Sequence, residues 1–207
     1  AELDWLLPRV VPRMNGQPVH AVGVSLGGNV LCKWLGEQGH AASRWLRSAA
    51  SVCAPVDLGA AGRALDRGFN RVYTRYFLRT MKPRALHKAA LFPGVLDAAA
   101  IAASASIKAF DDAVTSQLHG FRDADDYWTR CSARPLLREV RVPLLLLHAL
   151  NDPMVPDWSL ATPQMLSSDV LPEYTAQGGH VGYVSGAPTG HLDWLPQRLL
   201  HFFEHGR

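Results

Sequence analysis

Cysteine is scarce in this chain: Cys32, Cys53 and Cys131 are the only three in 207 residues. An odd number, widely spaced and without a C-x-x-C pair, excludes a disulfide framework and a thiolate zinc site, and fits a reducing cytoplasm. Long apolar runs are lacking too. "VPLLLLHAL" (142–150) is the longest such run near an expected strand, far too short to cross a bilayer. The opening "AELDWLLPRV" carries acids and a proline where a signal peptide would carry basic residues. Charge is modest, with 19% charged residues and a formal net charge of +3. No continuous basic segment joins an aromatic binding motif, so a nucleic-acid partner is not expected. What is present is a 48% hydrophobic composition, enough to bury a sizeable core, most simply in one domain with an insertion.

Periodicity gives the outline. Leu3, Leu6, Leu7, Val10 and Val11 predict a helix over 3–14, and "NGQP" a turn. A short buried strand follows over Val19–Val24. Leu26, Val30, Leu31, Trp34 and Leu35 then mark a helix that stops at Gly39. Further strands are expected over 48–57, 142–149 and 169–176, and a closing helix over 192–205 despite Pro196. The 142–149 run is apolar without alternation, as in a strand covered on both faces. Strands alternating with helices predict a parallel sheet in an α/β fold. Residues 58–140 break this rhythm; they hold helical stretches, an alanine-rich one at 97–106 among them, and no convincing strand. They read as a helical insertion between two strands.

Gly23-Val24-Ser25-Leu26-Gly27 matches G-x-S-x-G, with a strand before it and a helix after. So tight a turn strains the serine backbone and is expected to crowd both flanking positions. It exposes the hydroxyl at a helix N-terminus, where the N–H of Leu26 can serve as an oxyanion donor. The competing reading is a glycine-rich turn with a serine that merely starts a helix. A serine hydroxyl also needs a base, and the base an orienting acid. In this arrangement the order is Ser, acid, His, each after a later strand. Asp152 follows the apolar strand, and His180 follows the next one beside Gly178 and Gly179. Asp157 and Asp57 are weaker candidates for the acid, and His191 for the base. His20 and His148 are expected to pack, while His40, His87, His201 and His205 look like surface or terminal-helix residues. No His/Asp/Glu pair has metal-ligand spacing on a shared element, so neither metal nor cofactor is expected.

The stretches "GVSLGGNVLCKWLGE", "SVCAPVDL", "FDDAVTSQLHGFRDADDYW", "ALNDPMVP" and "GGHVGY" together resemble the YheT-like branch of the α/β-hydrolase superfamily, which includes abhydrolase-domain lipases and esterases. The resemblance covers positions 23 to 183. It implies an α/β-hydrolase fold, a mostly parallel sheet with helices on both faces, with residues 58–140 as a helical cap. It implies Ser25, Asp152 and His180 as a catalytic triad acting on carboxylic esters of short-chain, acylglycerol or phospholipid type. Asn29, Tyr127 and Tyr183 are candidate pocket residues. Family members carry about a hundred further residues before the equivalent of Leu3, a domain-sized difference. The sequence is therefore expected to be a partial domain lacking the first strands and the second oxyanion donor, a loss worth about 100- to 1000-fold in rate.

Within the insertion Arg63, Arg67, Arg71, Arg75 and Arg79 recur every four residues, followed by Lys82, Arg84 and Lys88. Read as one basic amphipathic helix over 63–88, they offer a peripheral contact with an anionic membrane surface. Read as a solvated face, they would pair with the acids of 111–126. The functional expectation is a serine ester hydrolase with a small-molecule ester or lipid substrate. Its rivals are a non-catalytic binding module or inactive fragment of the same fold, and a thioesterase, amidase or acyltransferase using the same three residues.

Overall fold

In the computed structural model, which describes residues 2–206, the chain begins α1 (Glu2–Val10), β1 (His20–Val24), α2 (Leu26–Gln38), β2 (Ser48–Val52). It continues α3 (Leu58–Leu65), α4 (Arg71–Leu91), α5 (Ala98–Ala103), α6 (Ile107–Phe110), α7 (Ser116–His119) and α8 (Ala124–Cys131). It ends β3 (Leu144–Ala149), β4 (Val170–Thr175) and α9 (Trp194–His205). Two compact units result: one takes in the chain up to Val56 and from Ala133 onward, the other is Asp57–Ser132.

The first unit is built on a four-stranded sheet of order β1-β2-β3-β4, parallel at every pairing. Its register lines up Val24, Val52, Leu147 and Glu173 across the sheet, so the residues that leave the carboxyl ends of β1, β2 and β3 emerge side by side. Every residue of β2 and β3 is buried. Leu144 and Leu146 belong to a core with Leu31, Trp34 and Leu35 of α2 and Leu7 of α1. Leu145, Leu147 and Ala149 belong to a second core with Phe202 of α9. With side chains alternating between two covered faces, β3 is apolar at every position but His148. This is the helix-sheet-helix layering that the sequence predicts.

Local signals fix the ends of these elements. α2 stops where Gly39 takes φ 52° and returns its N–H to the Leu35 carbonyl. Pro196 is the third residue of α9, in a first turn whose N–H groups have no intrahelical partner anyway. Residues 133–140, expected within the insertion, lie with the first unit instead. Leu137 and Val140 are fully buried in the α2 core, and a Cβ on Gly36 would collide with the Leu136 carbonyl oxygen.

The second unit holds no strand among its described residues. One of its cores gathers Leu78 and Ala85 of α4, Ile101, Phe110 and Val114; the other gathers Leu58, Ala124 and Trp128. The "FDDAVT" stretch is a π-helical turn, Asp111–Thr115, between α6 and α7. Asp111 accepts hydrogen bonds from Trp128 Nε1 (2.8 Å) and Thr115 Oγ1 (2.6 Å), and burial pushes its carboxyl above the usual range. Asp112 accepts from the Ala124 N–H at 2.7 Å, and Asp123 caps α8 through the Asp126 N–H.

The basic helix expected over 63–88 is not continuous. α3 ends at Leu65, Arg67 is extended, Gly68 takes φ 53°, and α4 starts at Arg71. The break is specified by Asp66, whose carboxylate accepts the Ile107 and Lys108 N–H groups at 2.7 and 3.1 Å. Thr74 Oγ1 donates to the Leu65 carbonyl at 2.7 Å, satisfying the end of α3. Among the described residues no helix is long and apolar enough to cross a membrane.

Candidate active site

Ser25 leaves β1 at φ 51°, ψ −125°, a conformation that favours glycine and is costly for a residue with a Cβ. Its N–H donates to the Val52 carbonyl at 2.8 Å, holding the turn to β2. The expectation that both flanking glycines relieve crowding holds for only one of them. A Cβ on Gly23 would meet the Gly27 carbonyl oxygen at 2.6 Å, and one on Gly28 would meet Ser51 Oγ at 2.7 Å and Ala54 Cβ at 2.8 Å. A Cβ on Gly27 would meet nothing within 4 Å. Strand and helix are thus pressed together through Gly23 and Gly28, while Gly27 faces open space beside the serine.

Although Ser25 occupies the N-cap of α2, its hydroxyl makes no capping bond. It lies instead 2.9 Å from His180 Nε2, and His180 Nδ1 lies 2.7 Å from Asp152 Oδ2. A carboxylate only accepts, so Nδ1 carries the ring proton, Nε2 is left as the acceptor, and Ser25 donates to it. The Leu26 N–H, first in α2, makes no hydrogen bond to protein among the described residues. It is available to an anion at the positive end of the helix dipole.

Asp152 is held from both sides. Its Oδ1 accepts the N–H groups of Met154 (2.8 Å) and Val155 (3.3 Å), leaving Oδ2 for His180. The loop bearing His180 is anchored by Asn151, whose Oδ1 accepts the Gly179 N–H at 2.8 Å and whose Nδ2 donates to Gln177 at 2.7 Å. Gly179 takes φ 60°, and a Cβ on Gly178 would strike the Tyr183 ring at 2.7 Å. His148 lies below, 2% exposed, with Nε2 3.6 Å from Asp152 Oδ2 and no hydrogen bond to that nitrogen. Burial lowers its pKa, disfavouring the charged imidazolium. His148 packs as expected, and Asn151 is the support that sequence reasoning missed; only the adjacency of "HALND" to the expected strand end hinted at it.

The other candidates lie elsewhere. Asp157 is exposed and accepts its neighbour Trp158's N–H, Asp57 caps α3 through the Ala60 N–H, and His191 pairs with Asp193 at 3.3 Å. Asn29 and Tyr183, expected as pocket residues, are buried by packing at 2% and 4% exposure. Asn29 Oδ1 accepts the Ala133 N–H; Tyr183 stacks on Trp194 at 5.0 Å with its hydroxyl 3.5 Å from Cys53 Sγ. Tyr127 belongs to the second unit, where it packs on Phe121 and burial pushes its phenol up to about 12. Cys53, His148 and Asp152 bring one sulfur, one nitrogen and one oxygen within 4.8 Å of one another. They make a poor cation site: His180 already holds Asp152 Oδ2, and burial raises the Cys53 thiol away from its thiolate.

Comparison with known proteins adds a lineage. The chain is 36% identical over 200 residues to the candidate esterase YheT of Escherichia coli (strain K12), covering 96% of this chain and 58% of YheT. It is 31% identical over 187 residues to phospholipase ABHD3 of Mus musculus, covering 89% of this chain and 45% of ABHD3. The chain thus spans about half the length of these relatives. Acylaminoacyl peptidase of Pyrococcus horikoshii shares the fold at 18% identity and a TM-score of 0.56, over 99% of this chain and 26% of the peptidase. The sequence profile described as the alpha/beta hydrolase family matches residues 1–199. The chain belongs to the alpha/beta hydrolase family.

Proposed function

We infer that this chain carries the nucleophilic site of a serine hydrolase acting on carboxylic esters. The observation that supports the reading most is the line of hydrogen bonds from Ser25 Oγ to His180 Nε2 (2.9 Å) and from His180 Nδ1 to Asp152 Oδ2 (2.7 Å). His180 takes the Ser25 proton as Oγ attacks the acyl carbon, and Asp152 holds the imidazole in the needed tautomer and stabilises its charged form. The carbonyl oxygen becomes an oxyanion, which the free Leu26 N–H and the α2 dipole stabilise. When the intermediate collapses, the ester C–O bond breaks and His180 returns the proton to the departing alcohol. Water, deprotonated by the same imidazole, then attacks the acyl-Ser25 ester and releases the acid. Every atom is supplied by ester and water. The names of the relatives, a candidate esterase and a phospholipase, support small-molecule or lipid esters as the substrate class.

A fluorophosphonate probe tests this directly, because it phosphonylates only an activated serine. The chain should label at Ser25, and Ser25→Ala should not label while keeping its circular dichroism spectrum. A folded chain that takes no label would overturn the reading and favour a binding module of the same fold.

A further inference from the structure

We propose that the outer face of α4 docks on an anionic lipid bilayer. The helix spans Arg71–Leu91 and carries Arg71, Arg75, Arg79, Lys82, Arg84 and Lys88 with no acidic residue. Lys82 is spent on the Ala102 and Ser104 carbonyls. The other five are exposed, and among the described residues none makes an ion pair. The acids that a solvated face would need are already committed to Arg63, Lys108, Arg122 and Arg130: Asp125 pairs with Arg63 and Lys108, Asp112 with Lys108, Asp123 with Arg122, and Asp126 with Arg130.

The same face is apolar at its crest. Thr74, Leu78 and Ala85 turn inward, and the opposite side presents Tyr76 (67% exposed) and Val72 (49%), continued by Phe69 (78%) just before the helix. Val72 and Tyr76 fall at i and i+4, one stripe of α4, with Arg75 and Arg79 along its flank and Phe69 in the turn before it. Solvent-exposed aromatics in a row, flanked by unpaired cations, fit the boundary between headgroups and acyl chains. There the rings enter the apolar layer while the guanidinium groups reach the phosphates. A bilayer of anionic headgroups is the one occupant that satisfies both the uncompensated charge and the exposed rings.

Vesicle flotation of the 207-residue chain tests the proposal, using phosphatidylcholine with and without phosphatidylglycerol. Binding to the anionic vesicles should exceed binding to neutral ones by about tenfold or more and should fall with added salt. Arg75→Glu/Arg79→Glu should abolish that preference. Phe69→Ser/Tyr76→Ser should also weaken binding although every cation remains; all four positions are exposed, so both variants should fold. Equal partitioning onto both vesicle types, or variants that float like the parent chain, would overturn the proposal. So would a dimer in sedimentation that Phe69→Ser/Tyr76→Ser dissolves, which would assign the face to a second copy. Fluorophosphonate labelling of Ser25 in detergent-free buffer should be the same in all these variants, so the docking face and the hydrolase reading fail separately.

Discussion

Ser25 bears a Cβ at φ 51°, where glycine is the comfortable residue, and the strain should show as a stability difference between two otherwise similar losses. Ser25→Ala and Ser25→Gly both delete the hydroxyl and its bond to His180. Only glycine also releases the backbone, a cost of about 1–3 kcal/mol for such conformations. Ser25→Gly should therefore be the more stable of the two by about 1 kcal/mol or more. For a chain of this size that is roughly 2–4 °C in Tm per kcal/mol, and differential scanning calorimetry would read it. A glycine variant melting at or below the alanine variant would show that the turn is relaxed. Much of this neighbourhood was legible in sequence, because a parallel sheet sends every strand end to one side. The G-x-S-x-G turn picks Ser25, and chain order with placement after a strand favours Asp152 over Asp157 and Asp57, and His180 over His191. Asn151 was not legible, because it acts through a hydrogen bond to a loop 28 residues away; His148 was legible only as a packed residue of the strand.

Helix α4 illustrates where periodicity misleads. Arginine every fourth residue from 63 to 79 writes a single unbroken helix, yet the chain turns at Asp66–Asn70 because the Asp66 carboxylate has a distant use. It accepts the Ile107 and Lys108 N–H groups at the start of α6, a capping job performed from 41 residues away. No local pattern encodes such a bond. Asp66→Ala should leave those two donors unpaired and cost about 1–2 kcal/mol, in the range of lost helix caps. Chemical denaturation would measure it. Asp66→Asn, which keeps one acceptor oxygen, should recover part of the loss. By contrast β3 was readable from its run of leucines alone, since a strand buried on both faces leaves no alternation to misjudge.

At the level of the whole chain, the two units have separate cores, and the sequence marked the second by a change of rhythm rather than by any linker. The boundary was harder to see than the unit itself. Residues 133–140 look helical like what precedes them, and only the burial of Leu137 and Val140 assigns them to the first core. Among the described residues β1 has a strand on one side only, and its Val22 and Val24 are 45% and 44% exposed. The outer row of amide and carbonyl groups, backed by two β-branched side chains, is a ready template for whatever extended segment reaches it first. Handled alone at high concentration, the 207-residue polypeptide should accumulate associated species in light scattering. A lysine in place of Val22 should delay their appearance by turning that rim from adhesive to repellent.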